Sequence, residues 1–135
     1  MADINDVYQF LKNEAPTYFL ATDDAGQPRV RPFGTVDLFE GRLYIQTGKS
    51  KDIYKQVVAN PKVEICACNG PDWWRISGEL VPDERVDAKK HMLDAYPELR
   101  KMYDENDDNT IVLYFKNATA RFASMAGKPA QTVEF

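Results

Sequence analysis

The residues best suited to chemistry gather in one short stretch. Thr47-Gly48-Lys49-Ser50-Lys51 lies between a strand-like run and a helix-like one. It combines a flexible glycine turn, a hydroxyl, two ammonium groups and the unpaired N–H groups of a helix start, all of which favour a bound phosphate. Local charge agrees. From Gln27 to Lys55 six basic residues (Arg29, Arg31, Arg42, Lys49, Lys51, Lys55) stand against three acidic ones (Asp37, Glu40, Asp52), in a chain whose formal net charge is −4. Gly48-Lys49-Ser50 copies the ending of a nucleotide P-loop, but that motif needs a glycine where this chain has Leu43, so the P-loop reading fails. On these residues alone an alternative stands, in which Ser50 only caps a helix and the lysines are solvated.

Arg31-Pro32-Phe33-Gly34 is the next unusual segment, because a proline donates nothing to a sheet ladder and marks an edge, a bulge or a ligand-facing stretch. The plainer alternative puts Pro32 at a barrel seam and pairs Arg31 with a surface carboxylate. Trp73-Trp74 places one indole on each face of a strand, one toward the core and the other toward a ligand or a partner subunit, with core packing of both as the plainer alternative. Cys66 and Cys68 share one strand face and are expected to be reduced core thiols. A zinc site needs about four ligands, and the chain has a single histidine, so no metal is assigned. That histidine, His91, falls in a charged helical stretch and reads as a solvated surface group; no Gly-x-Ser-x-Gly elbow accompanies it to support a hydrolase.

The elements that must position these residues follow from periodicity. A helix is expected from about Asp3 to Asn13, with Ile4, Val7, Tyr8 and Leu11 at helical spacing and Asp3 as its cap. Strands follow over Thr17 to Thr22, Arg29 to Phe39 and Arg42 to Thr47, joined by turns at Asp23 to Gln27 and Glu40-Gly41. Ser50 then caps a short helix that Asn60-Pro61 ends. Lys62 to Cys68 and Asp72 to Val81 form a further hairpin across Asn69-Gly70-Pro71. The period turns helical from Pro82 to Tyr96, with a short helix after Pro97, and strands return over Thr110 to Phe115 and Ala118 to Met125. The fold class is mainly β (α+β), one domain over residues 1–135, with a six- to seven-stranded antiparallel sheet closed into a small barrel that hides its edges.

Composition narrows the function. Apolar residues at 44% and charged residues at 28% are ordinary for a packed soluble domain. A sequence pI near 5.0 argues against nucleic acid as a partner. No window approaches the roughly 18 apolar residues of a membrane span, and the acidic opening MADINDVYQFLKNE lacks the profile of a secretory signal. A cytoplasmic, membrane-free protein is expected.

Taken in order, the first helix, TYFLAT, its turn, PRVRPFG, LYIQTGKSKD with its helix, NPKVEICA and DWWRISGEL resemble the pyridoxamine 5′-phosphate oxidase-like family of FMN-binding split barrels. The resemblance runs from about Val7 to Val81 and rests on the order of the motifs. It implies a split barrel, FMN as cofactor, and a homodimer with the flavin in a groove between subunits. By the same resemblance Arg31, Pro32, Phe33 and Gly34 follow the isoalloxazine and ribityl chain, Gln46 and Thr47 end the third strand beside the flavin, and Lys49, Ser50 and Lys51 hold the phosphate. Trp73 matches the position that reaches across from the other subunit. The basic C-terminal strand motif of the true oxidases is missing, with Arg121 its only possible remnant, so the chain is more similar to the small flavin reductase or nitroreductase-like branch. The expected activity is an FMN-dependent oxidoreductase with a small-molecule substrate. The alternatives are a flavin-binding module without turnover, serving as store, sensor or electron-transfer partner, and a related barrel holding haem or a deazaflavin, the haem option weakened by the lack of a suitable histidine.

Overall fold

The computed structural model describes residues 1–135. The chain opens on α1 (Ile4–Gln9), which starts where the residue types dictate: the Asp3 carboxylate accepts the N–H groups of Asn5 and Asp6, and the Asp6 carboxylate accepts the N–H of Asp3 at 2.9 Å. This is a reciprocal capping box. The helix widens into one π-helical turn over Phe10–Glu14 and stops before Pro16, burying Val7, Phe10 and Leu11 against the sheet.

Eight strands make one sheet: β1 (Tyr18–Asp24), β2 (Gln27–Phe33), β3 (Asp37–Phe39), β4 (Arg42–Gly48), β5 (Lys62–Asn69), β6 (Asp72–Asp83), β7 (Thr110–Ser124) and β8 (Gln131–Glu134). Their order is β2-β1-β5-β6-β7-β4-β3, with β8 added to β7, and every pair is antiparallel. The sheet wraps a core of Tyr18, Leu20, Leu43, Ile45, Ile65, Ile76, Ile111 and Leu113. β2 and β3 are consecutive in the chain yet stand at opposite ends of the strand order, so the closure is split at the segment that joins them. α2 (Asp52–Ala59) packs Ile53 and Val57 into the core. α3 (Val86–Ala95) and a 3₁₀ turn (Pro97–Lys101) cover the outside of the split. No helix is long and apolar enough to cross a membrane.

The structure departs from the sequence reading in several places. The strand expected from Arg29 to Phe39 is two strands, because Gly34–Val36 leaves the ladder. Tyr18 Oη donates to the Thr35 carbonyl at 2.5 Å, Tyr96 Oη donates to the Val36 carbonyl and accepts the Val36 N–H, and Thr35 Oγ1 accepts the N–H of Gln46. The two last strands are one, β7, which runs through Asn117 at φ 52°, and β8 adds an eighth strand to the six or seven expected. Ser50 does not cap α2; Lys51 holds that position, and no side chain caps the helix. Cys66 and Cys68 are free thiols but not core residues. Both face outward, with their Sγ atoms 3.9 Å apart. The tryptophans divide as the alternation demands, Trp74 buried against Phe122 and Trp73 half-buried on the outer face.

Candidate functional site

The split leaves a groove of about 430 Å³. One wall is Arg31, Pro32, Phe33, Gly34 and Thr35, from the end of β2 and the break that follows; the floor is Gln46, Thr47, Lys51 and Ile53. The opposite wall is Tyr96, Glu98, Leu99, Met102 and Tyr103, from the turn after α3. A second lobe of about 540 Å³ continues past Arg31, Lys51 and Ile53 toward Asp24, Arg29, Asp52 and Gln56. Arg31 and Lys51 therefore stand where the two lobes meet.

The state of Arg31 is the most informative feature of the groove. Its guanidinium donates to the Leu20 carbonyl at 3.2 Å, to Thr22 Oγ1 at 2.8 Å and to Gln56 Oε1 at 2.6 Å. All three acceptors are neutral, and no carboxylate pairs with it. Burial lowers its pKa, Arg29 nearby lowers it further and Asp52 pulls the other way. A half-buried cation without a counter-ion costs folding free energy, and it keeps donors free, because a guanidinium carries five N–H groups. Lys51 likewise has no ion-pair partner among the ten pairs of the molecule.

Backbone donors add to this. The N–H groups of Gly34 and Thr35, in the break at the groove wall, make no hydrogen bond within the chain, and the start of α2 adds the unpaired amides of a helix N-terminus. The arrangement suits an elongated, partly aromatic anion: its charged end at Arg31 and Lys51, polar ring edges at free amides, a flat apolar body against Phe33, Tyr96 and Leu99.

Of the ten residues the sequence singled out, the structure brings seven to this groove: Arg31, Pro32, Phe33, Gly34, Gln46, Thr47 and Lys51. Three stand elsewhere. Lys49 Nζ is held by Glu84 Oε2 at 2.7 Å, a bond that raises its pKa. Ser50 gives its N–H to Asn109 Oδ1 at 2.9 Å, and Trp73 is on the outer face of β6. Sequence reading missed the wall from Tyr96 to Tyr103, which has helical periodicity but no chemical motif. It also missed that His91 is tied to the fold: Nδ1 lies 2.5 Å from Oδ2 of Asp37, a carboxylate only 3% exposed, and its ring packs on Phe39 at 4.9 Å.

Fold and groove together define a class: antiparallel split barrels with a basic, amide-lined groove at the seam. Residues 4–123 match the family model described as pyridoxamine 5′-phosphate oxidase, and the chain belongs to that family. Among solved structures it is similar to a NimC/NimA family protein from Clostridium acetobutylicum, at 39% identity and a TM-score of 0.92 over 97% of this chain and 91% of that one. The fold is shared with General Stress Protein 26 from Bacillus anthracis, at 13% identity and TM-score 0.76, covering 98% of each chain. It is shared as well with a pyridoxamine 5′-phosphate oxidase-related, FMN binding protein from Nostoc punctiforme, at 16% identity and TM-score 0.69, covering 95% of this chain and 86% of that one. No curated protein matches the chain closely enough to add a further comparison.

Proposed function

We propose that the protein binds FMN in the groove between Arg31 and Lys51, as a homodimer, and acts as an FMN-dependent oxidoreductase on a small molecule. The observation that carries the reading is Arg31, a half-buried cation with only neutral partners at the junction of two lobes, which a phosphate dianion would neutralise. Family membership and the FMN-binding neighbour from Nostoc support the same cofactor.

In this reading Arg31 and Lys51 hold the phosphate, with the α2 amides beside them. Gly34 and Thr35 offer N–H groups to the polar edge of the ring system, and Phe33, Tyr96 and Leu99 exclude water from its faces. Bound FMN would supply hydride or electron transfer, while the chain supplies position and electrostatics.

The homodimer is supported by the outer sheet face. Phe19 pairs in register with Pro32 and Cys66, Ala21 with Val30, and Trp73 with Cys68 and Ala123. Phe19 and Val30 are 49% and 68% exposed. An apolar strip of this kind, bordered on the same face by Glu64 and Arg75, suits an interface, and Pro32 belongs to both the face and the groove, so a second copy seated there would complete the site. The free thiols fit the reducing cytoplasm as compartment.

A visible spectrum of protein purified with added FMN tests the cofactor: a shifted flavin doublet that persists through gel filtration is expected, and a colourless protein that ignores FMN would sink the reading. Reduction of the bound flavin by NADH or NADPH, then reoxidation by a quinone or nitro compound, tests turnover. Failure with every donor would leave a binding module instead of an enzyme.

A further inference from the structure

The loop that precedes α2 is shaped by a segment far away in sequence. The Lys49 N–H donates to the Asn109 carbonyl at 2.7 Å, and the Ser50 N–H donates to Asn109 Oδ1 at 2.9 Å. One residue thus takes both consecutive loop amides. The approach is so close that a Cβ on Gly48 would stand 2.8 Å from Asn109 Nδ2 and 3.2 Å from the Tyr103 ring, so a larger residue there would push on the Asn109 side chain.

Asn109 is itself fixed. Asp107 accepts the N–H groups of Asp104, Asn109 and Thr110 and the hydroxyl of Thr110, tying the turn to the start of β7. Partial burial of Asp107 works against its charge, but these donors prevail and its pKa is lowered to about 2. On the other side of the loop Glu84 holds Lys49 at 2.7 Å and also receives Lys89 at 3.3 Å. The loop is clamped from two sides, and Lys51 is its one cation left without a carboxylate.

We infer that Asn109 is a positioning residue for the cofactor loop: through the backbone of Lys49 and Ser50 it orients Gly48–Lys51, so that Lys51 and the start of α2 face the groove while Lys49 stays with Glu84. This rests on the FMN reading above. Asn109 touches no ligand in this scheme. Its effect should be specific to the phosphate end, because the groove's aromatic wall and the Gly34–Thr35 amides are held by other contacts.

The test compares FMN with riboflavin, which lacks the phosphate, on the full-length protein. Asn109→Ala is expected to weaken FMN three- to tenfold, the loss of about one hydrogen bond's worth of order, while riboflavin binding changes less than twofold. Amide exchange at Ser50, whose partner is the Asn109 side chain, should rise, and exchange in β4 should not. Should Asn109→Ala fail to fold, Asn109→Gln, which carries the amide one methylene too far, is expected to give the same selective loss. FMN binding at the wild-type level in the folded variant overturns the inference, as does an equal loss of FMN and riboflavin. A wild-type protein that binds no FMN fails the cofactor reading itself, and that result separates the two claims.

Discussion

Replacing Arg31 by methionine separates what the groove does for a ligand from what it costs the fold. Methionine keeps the aliphatic stem and removes the guanidinium with its three hydrogen bonds to Leu20, Thr22 and Gln56. Gln56 Oε1 keeps a donor, because Thr22 Oγ1 already donates to it at 2.6 Å. A charge-assisted hydrogen bond to an anion is worth about 1.5–3 kcal/mol, so Arg31→Met should raise the Kd for FMN about 10- to 150-fold. Lys51 is exposed and screened, and Lys51→Ala should cost about two- to fivefold. Lys49→Ala should change the Kd less than twofold, since its ammonium is spent on Glu84. Without ligand the order changes: removing a half-buried, unpaired cation should leave the melting temperature of the apo protein unchanged or higher. Flavin fluorescence quenching with FMN and riboflavin, alongside calorimetry of the apo protein, reads both effects. An Arg31→Met protein that binds FMN within twofold of wild type, or a Lys49→Ala effect as large as that of Arg31, would refute the reasoning.

Three further outcomes follow from particular contacts. Gly78 sits at the register shift of β6, where a Cβ would meet Ala118 Cα and Cβ at 3.0 Å and the Lys116 carbonyl at 3.3 Å; Gly78→Ala should cost about 1–3 kcal/mol in chemical denaturation, and a neutral effect would show that the two strands can part. Burial pushes the Asp37 carboxyl up while the His91 hydrogen bond pulls it back. Because the folded state then holds the proton more tightly, this group stabilises the fold below the ordinary value of 3.8 and that stability is lost as pH rises through the raised value. Asp37→Asn should therefore gain melting temperature relative to wild type on going from about pH 3.5 to 5.5, and a widening deficit over that range would contradict the sign. Phe19→Glu places a charge on the outer face, and light scattering should report a dimer for wild type and a monomer for the variant; a dimer unchanged by the substitution would move the interface elsewhere.

How far the sequence could be read depends on the distance over which each feature is decided. The hairpins and α1 were legible because their determinants are local: Gly26, Gly41 and Gly70 occupy positive φ at the turns, and Asp3 caps its own helix. The break at Gly34–Val36 was not legible. Its determinants are the hydroxyls of Tyr18 and Tyr96, and Tyr96 stands 60 residues from Val36. β8 escaped for a similar reason: it is a four-residue strand with one buried side chain, Val133, held by its register with β7. The candidate site divides in the same way. Lys49 and Lys51 are two residues apart and alike in type, so nothing local tells them apart; Glu84 and Asn109, from the far half of the chain, decide which one is left free.

The same logic explains why the groove lies at the split. A strand that ran unbroken from β2 into β3 could carry the Gly34 and Thr35 amides in a ladder and leave them nothing to offer a ligand. Here Pro32 removes one donor, Tyr18 and Tyr96 hold the break open by taking the carbonyls of Thr35 and Val36, and the released N–H groups stand beside Arg31. Each of these choices forfeits internal hydrogen bonding or charge pairing, and a sequence tuned for stability alone would have no reason to keep them together. Their coincidence at one seam is therefore stronger evidence for a ligand than any of them separately. Any ligand that binds only the folded state stabilises it, so FMN at a hundred times its Kd should add about 2.7 kcal/mol to the stability. A flavin that stabilised Arg31→Met as much as wild type at the same concentration would be sitting somewhere other than this seam.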